Sequence, residues 1–179
     1  EMDKLVVAEE VVFEDGRPDD LITKPGRILN GGEVIWFMAV DGTNKETYVF
    51  RSNDGGETFS HNATPLSGRG AQVDAFDENT ALVSCANGKI YKTTDGGSSW
   101  SEAYSYSLGL GDGWFDGLRV LNSTTAIAHG DGVEAGDMHF VKTTDKGETW
   151  IEIEGIDYLN SVWSYYTWGN AACNVGESI

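Results

Sequence analysis

The sequence has few prolines, few cysteines and few basic residues, and each shortage excludes a class of protein. Three prolines among 179 residues exclude a Pro-rich linker. Two cysteines, Cys85 and Cys173, define neither a disulfide framework nor a zinc site; they are either free thiols or one bridge between contacting parts of the chain. With 12 basic and 29 acidic residues, the formal net charge of −17 argues against nucleic acid or an anionic membrane as the partner.

Long apolar runs, helical periodicity and familiar catalytic motifs are also missing. No apolar run approaches the roughly 20 residues that span a bilayer, so no membrane insertion is expected. Apolar residues come instead in short alternating runs, which favour strands. The chain opens with Glu1-Met2-Asp3 and has no basic and apolar leader, so a signal peptide is expected to be absent or already removed. His61, His129 and His139 lack paired metal spacing, and no nucleophile elbow or phosphate-binding glycine loop is present.

Glycine, in contrast, is abundant at 23 residues, and three stretches of the chain repeat one another. They are 51–59 (RSNDGGETF), 92–100 (KTTDGGSSW) and 142–150 (KTTDKGETW), and we call them the repeated turns. Each lies between two short strand-like runs. Because Asp hydrogen-bonds nearby backbone N–H groups and Gly accepts a positive φ, each stretch predicts a hairpin within a repeat architecture.

The residues that recur in the repeated turns have predicted structural roles. The position after each Asp varies, but the next one is always glycine, so this second position is predicted to hold the left-handed conformation. The aromatic residue five places after each Asp is predicted to cover apolar surface. The predicted structural set is Asp54, Gly56, Phe59, Asp95, Gly97, Trp100, Asp145, Gly147 and Trp150.

A second landmark recurs with a similar period. Asn30, Asp77 and Asn122 each stand between two strand-like runs, and they are 47 (30 to 77) and 45 (77 to 122) residues apart. The repeating unit is therefore strand, Asn/Asp turn, strand, loop, strand, Asp/Gly hairpin and aromatic-bearing strand. A four-stranded antiparallel unit of about 40 to 50 residues is typical of a β-propeller blade, so the predicted fold is an all-β propeller.

The spacing also predicts the extent of each unit. We expect one β-propeller region over 1–179, with approximate blades 20–62, 70–105 and 114–155, a partial blade 160–179, and a flanking or closing strand at 4–13. The hairpin Asp of the fourth unit would fall beyond Ile179. We therefore expect a fragment of a longer propeller or an incomplete ring. An unclosed sheet edge can pair with another chain, which adds a homo-oligomer to the expected partners.

The repeated turns resemble the Asp-box, or BNR, repeat, whose pattern is Ser/Thr-x-Asp-x-Gly-x-Thr-Trp. Families with this repeat include sialidases, xyloglucan-cleaving glycosidases, sortilin-type receptors and photosystem II stability/assembly factor-like propellers. The Lys-Thr-Thr-Asp form of the turn and the segment Ala126–Asp131 are most similar to the last group and its secreted bacterial relatives. The resemblance covers roughly 27–175. It implies a structural turn role for Asp54, Asp95 and Asp145, and an extracellular or periplasmic location.

With every recurring residue explained by folding, the sequence favours a non-catalytic scaffold that binds a protein or glycan partner, without a cofactor. The first alternative is part of a sialidase-like or xyloglucanase-like glycoside hydrolase. The segment Lys24–Arg27 does not reproduce the Arg-Ile-Pro motif of sialidases. A xyloglucanase needs two facing carboxylates, for which Asp74 and Asp116 are the nearest candidates. The second alternative is a self-assembling extracellular structural subunit.

Two further groups of residues are candidates for binding. Acids among glycines suit Ca²⁺, but their spacing matches neither an EF-hand nor a β-roll, so ordinary acidic loops are favoured. Aromatic residues form a candidate ligand surface, although neighbours along a strand face opposite sides and at least half should pack between blades. The candidate metal ligands are Asp112, Asp131 and Asp137, and the candidate ligand-binding aromatics are Trp114, Trp163, Tyr166 and Trp168.

Overall fold

The computed structural model of the chain describes residues 21–108, 111–132 and 138–153. Within these ranges every regular element is a strand except for a 3-10 turn at Asn30–Gly32, which confirms the all-β prediction. Several predicted features lie outside the described residues: the strand at 4–13, the partial blade 160–179, Asp137, Trp163, Tyr166, Trp168 and Cys173.

Most of the strands form three four-stranded antiparallel sheets, each with its strands in sequence order. The first sheet is β1 (Leu21–Leu29), β2 (Val34–Asp41), β3 (Thr47–Ser52) and β4 (Ser60–His61). The second is β5 (Gly70–Ala75), β6 (Ala81–Cys85), β7 (Lys89–Thr93) and β8 (Ser101–Ser105). A short pair, β9 (Ser107–Leu108) and β10 (Gly111–Asp112), precedes the third sheet. That sheet is β11 (Phe115–Val120), β12 (Ala126–Asp131), β13 (Met138–Thr143) and β14 (Ile151–Glu152).

The hydrophobic core lies between neighbouring sheets. Trp36 and Met38 of the first sheet pack against Val73 and Val83 of the second. The opposite face of the second sheet meets the third in the same way. Burying one such side chain contributes about 1.5–3 kcal/mol, so sheet-on-sheet packing is the main stabilising term. The core of this second interface comprises Leu82, Ile90, Phe115, Leu118, Val120, Ala126, Ala128 and Val141.

The first strands of the three sheets lie side by side along one inner edge. β5 contacts β1 on one side and β11 on the other. Four-stranded antiparallel meanders that pack face to face around their first strands are the blades of a β-propeller. Within the described residues the sheets do not close into a ring, so the arrangement is an incomplete propeller, as the sequence predicted.

Candidate functional site

The repeated turns share one hydrogen-bond network centred on their aspartate. In the second turn, the Thr93 hydroxyl donates to Asp95 Oδ1 (2.8 Å) and accepts from the Gly97 N–H (3.0 Å). Asp95 Oδ1 also accepts from the Ser99 N–H (2.9 Å), and Oδ2 accepts from the Ser99 hydroxyl (2.6 Å). The same bonds recur through Ser52, Asp54, Gly56 and Thr58, and through Thr143, Asp145, Gly147 and Thr149.

These hydrogen bonds favour the ionised carboxylate in each turn. The pKa of Asp54 and of Asp95 is lowered from 3.8 to about 2, with the side-chain hydrogen bonds from Thr58 and Ser99 as the largest causes. The pKa of Asp145 is lowered for the same reason, with the Thr149 hydroxyl as the largest cause. All three carboxylates accept their hydrogen bonds from groups of their own turns, so this geometry favours a structural role for them.

Both residues that follow each turn aspartate have a positive φ. The second position has φ of 93° at Gly56, 88° at Gly97 and 83° at Gly147, which confirms the predicted left-handed conformation. The first position was missed by the sequence analysis, because a lysine occupies it in the third turn. That position has φ of 74° at Gly55, 71° at Gly96 and 59° at Lys146.

In the second and third turns, the aromatic residue lies on the face of its sheet that looks toward the preceding sheet. Trp100 makes an edge-on contact with Trp36 of the first sheet, with ring centroids 6.3 Å apart. Trp150 packs against the core between the second and third sheets. Phe59 has only its own sheet to contact within the described residues; its ring meets Phe37 at 5.2 Å and is 37% exposed. The second and third turns therefore join neighbouring sheets.

Asp74, one of the two candidate catalytic carboxylates, is enclosed at the inner edge of the sheets, with a side chain only 1% exposed. Its Oδ1 accepts from the Ala75 N–H and its Oδ2 from the Val120 N–H of the third sheet, both at 2.9 Å. Arg27 Nε is 3.6 Å from Oδ1, and Arg119 Nη1 is 4.0 Å from Oδ2. Burial raises the pKa of Asp74 and outweighs the opposing effects of these hydrogen bonds and guanidinium groups.

This arrangement makes Asp74 an anchor between sheets. Its carboxylate bonds to the backbone of the third sheet, and a guanidinium group from the first sheet lies beside it. Asp116 lies four residues before Val120 in β11, at an irregularity of the strand register between Phe115 and Gly117. The candidate pairing of Asp74 with Asp116 stays a prediction.

The far end of β11 carries a loop surface that we define by Tyr106, Trp114, Asp116, Asp131 and His139. The Tyr106 hydroxyl lies within hydrogen-bond distance of the carbonyl oxygens of Trp114 (2.8 Å) and Asp131 (2.9 Å), and it accepts from the Trp114 N–H (2.9 Å). The Tyr106 ring stacks on His139 with centroids 3.9 Å apart. The Trp114 side chain is left 42% exposed.

Burial shifts the pKa of two titratable groups on the loop surface, Asp131 and His139. The pKa of Asp131 is raised by burial first and by the charge of Asp116 second. Burial lowers the pKa of His139, so this imidazole is neutral at pH 7. The sequence analysis had paired Asp116 with Asp74. The structure instead puts Asp116 within electrostatic reach of Asp131, since β11 pairs with β12.

No group of three or more His, Cys, Asp or Glu side chains among the described residues is arranged to hold a metal ion; Asp112 lies in β10 and Asp131 in β12. No helix in this part of the chain has the length and apolar character needed to cross a membrane. Cys85 is a buried free thiol whose pKa is raised to about 12 by burial.

Known proteins resemble this chain in fold. No protein-family model and no curated protein sequence matches it. The GH74 xyloglucanase of Xanthomonas campestris is 16% identical and matches 69% of this chain and 22% of its own, with a TM-score of 0.50. YCF48 from Cyanidioschyzon merolae is 22% identical over 68% of this chain and 38% of its own, with a TM-score of 0.46. A structure of YCF48 bound to D1 peptide is 18% identical over 62% and 32%, with a TM-score of 0.42.

The sheet topology, together with the likeness to the xyloglucanase, places the described residues in the class of β-propellers. At 16% identity the likeness to the xyloglucanase shows the fold alone. The chain spans between 22% and 38% of the length of these three solved structures. These solved structures therefore assign neither an activity nor a partner to this chain.

Proposed function

We propose that this propeller segment is a non-catalytic binding scaffold and that its loop surface holds a protein partner. The observation that carries the proposal is the setting of Trp114. Its N–H and C=O are both held by the Tyr106 hydroxyl, and its C=O also accepts from the Asp131 N–H at 2.9 Å, while the indole remains 42% exposed. Because the backbone of Trp114 is already held, a partner that covers the exposed indole does not have to order the main chain there, and tryptophan is enriched among binding hot spots.

The charge around Trp114 favours a basic partner segment. Asp116 and Asp131 lie on the same surface, His139 adds no positive charge at pH 7, and the whole chain carries a formal charge of −17. Complementary charge accelerates association and selects the partner, whereas acidic surfaces repel one another. The expected partner segment is therefore a peptide that contains Lys or Arg and an apolar residue that can cover the indole of Trp114.

The experiment compares the wild type with Trp114→Ala on arrays of basic peptides, acidic peptides and glycans. We expect binding to basic peptides that weakens with salt and falls about 30-fold in Trp114→Ala, the loss of a hot spot worth about 2 kcal/mol. Ile151→Ala is the matched control, because Ile151 is 68% exposed on another strand and should leave binding unchanged. An equal loss of peptide binding in both variants would contradict the proposal. Binding to glycans but not to peptides would show that the partner is a glycan and not a protein.

A second candidate, part of a glycoside hydrolase, is favoured by the coupling of Asp116 and Asp131. A carboxyl whose pKa is raised, lying near a second carboxyl, is a combination that glycosidases use as acid and base. Release of sugar from xyloglucan or sialosides by the wild type, abolished in both Asp116→Asn and Asp131→Asn, would overturn the scaffold proposal. We expect no turnover in any of the three proteins.

Export from the cytoplasm is part of the same proposal. Its support is the resemblance of the repeated turns to those of secreted propellers. Fractionation of cells that express the native gene tests it, with the protein expected in the extracellular or periplasmic fraction. Recovery in the cytoplasm alone would remove this part and leave the proposed binding surface untouched.

A further inference from the structure

Both sheet-to-sheet contacts in the described part of the chain have the same arrangement of residues, which is seen first between the first and second sheets. A Cβ placed on Gly97 of the second turn would lie 3.2 Å from Trp36 Cζ3, so this glycine rests on the indole of the first sheet. The Arg51 guanidinium lies 5.6 Å from the centroid of the Trp36 ring, and Arg51 Nε donates to the Glu78 carbonyl at 2.9 Å. An apolar side chain and a cation of the first sheet, Trp36 and Arg51, therefore contact the end of the second sheet that carries its repeated turn.

The second contact repeats this arrangement with different residues. A Cβ on Gly147 of the third turn would lie 3.0 Å from Leu82 Cδ2 of the second sheet. Lys92, which pairs with Leu82 in the strand register, reaches across and bonds Glu148 of the third turn, with Nζ and Oε1 2.6 Å apart. The Lys92 side chain is only 8% exposed, so this cation is part of the interface.

The strand register identifies a third receiving face on the outer side of the third sheet. Trp36 pairs with Arg51, Leu82 pairs with Lys92, and Ile127 pairs with Lys142 in the equivalent strands β12 and β13. Lys142 is exposed and Ile127 is half-buried. Among residues 21–108, 111–132 and 138–153, no turn covers this pair and Lys142 has no ion-pair partner.

The first repeated turn presents the complementary surface. Gly56 and Phe59 correspond to the residues that dock in the other two turns, yet Phe59 is 37% exposed and faces away from the second sheet. Glu57 corresponds to Glu148 and is exposed. Within the described part of the chain, Glu57 forms no ion pair.

The residue three places after each turn aspartate matches the cation that it meets. The turn that faces Arg51 has Ser98 at this position, and Arg51 bonds a backbone carbonyl instead. The turn that faces Lys92 has Glu148 there. A turn that docks on Lys142 should therefore carry a glutamate, and the first turn does.

We propose that the first repeated turn of one copy docks on the outer face of the third sheet of a second copy, with Phe59 covering Ile127 and Glu57 bonding Lys142. The contact is head-to-tail, since the two copies contribute different surfaces. It goes beyond partner binding at the loop surface, because it uses neither Trp114 nor the acids around it.

Disulfide trapping between two variants tests the proposed contact. Glu57→Cys and Lys142→Cys are each made in a Cys173→Ser background, where the remaining Cys85 is a buried thiol. The mixture should form an interchain disulfide under mild oxidation. Glu148→Cys mixed with Lys142→Cys is the matched control, because Glu148 already faces Lys92 of its own chain. A mixture that links no faster than the control overturns the proposal.

Charge reversal supplies the second measurement, by analytical ultracentrifugation across a dilution series. Glu57→Lys and Lys142→Glu should each weaken self-association several-fold, and mixing the two variants should restore it, because opposite charges then face each other again. Failure of the mixture to recover, or a wild type that stays monomeric throughout, would show that these faces do not meet. Neither result bears on peptide binding at Trp114.

Discussion

At the scale of single residues, the second glycine and the aromatic of a repeated turn matter most where they touch another sheet. Gly97→Val should unfold the protein at a lower temperature, because φ is 88° and the new side chain would meet the Trp36 ring. Trp100→Ala should cost about 3 kcal/mol, since it opens a cavity beside Trp36. Thermal and denaturant unfolding measure both, with Ser98→Ala, an exposed change in the same turn, as the control. Equal shifts in all three variants would mean that the turn does not hold the sheets together.

Lys146 offers a finer test, because it adopts a conformation suited to glycine while its ammonium bonds Asp77 at 2.7 Å. Left-handed backbone costs an ordinary residue about 1 kcal/mol, and an exposed ion pair contributes about as much or less. Lys146→Gly should therefore leave the free energy of unfolding nearly unchanged, whereas Lys146→Ala loses the ion pair, keeps the strain and should destabilise. If Lys146→Gly proved the worse of the two, the strain argument would fail.

The turn carboxylates predict acid sensitivity. The pKa of Asp54 and Asp95 is about 2 in the folded protein against an ordinary 3.8, and that of Asp145 is also lowered. Their stabilisation is present above pH 4 and is lost as the pH falls from about 4 toward 2. Asp74 acts in the opposite direction, because its raised pKa favours the protonated folded form. Melting temperatures from pH 6 to 2 should fall in that window, less steeply in Asp95→Asn; an unchanged slope in this variant would contradict the assignment.

At the scale of strands and turns, Asp74 is the residue whose removal should weaken the contacts among all three sheets. Asp74→Ala leaves the buried Val120 N–H without its acceptor and Arg27 and Arg119 without the intervening charge. We expect a loss of about 3 kcal/mol in the free energy of unfolding, toward the upper end for an unsatisfied buried group. Denaturant unfolding measures it, and Gln72→Ala, another buried polar change in β5, is the comparison. A loss no larger than that of the comparison would remove the anchor role.

The strands and hairpins could be predicted because their signals are local. Asp-x-Gly turns recur, and their chemistry is the same wherever they stand, so Asp95 and Gly97 revealed a hairpin without any knowledge of the rest of the chain. Lys146 was missed because a lysine carries no signal for left-handed backbone. The surroundings of Asp74 were missed because burial of a strand carboxylate depends on which sheet lies beside it. The proximity of Asp116 to Asp131 likewise depends on the register of β11 and β12.

At the scale of the whole molecule, stability should behave as a sum over sheets and contacts between neighbours. The second sheet packs against both others, whereas within the described residues the first and third each pack against one. Amide hydrogen exchange should therefore be slowest in β6, which is buried throughout, and fastest in β4 and β14. Uniform protection across the three sheets would show one cooperative unit instead.

Within residues 21–108, 111–132 and 138–153, the outermost strands of the first and third sheets are only two residues long, Ser60–His61 and Ile151–Glu152. An edge strand this short offers few unpaired backbone N–H and C=O groups to a β-strand of another chain. Very short edge strands are one of the ways in which natural sheets avoid edge-to-edge aggregation and fibril formation. Concentrated solutions of this protein should therefore resist gelling and bind little thioflavin T.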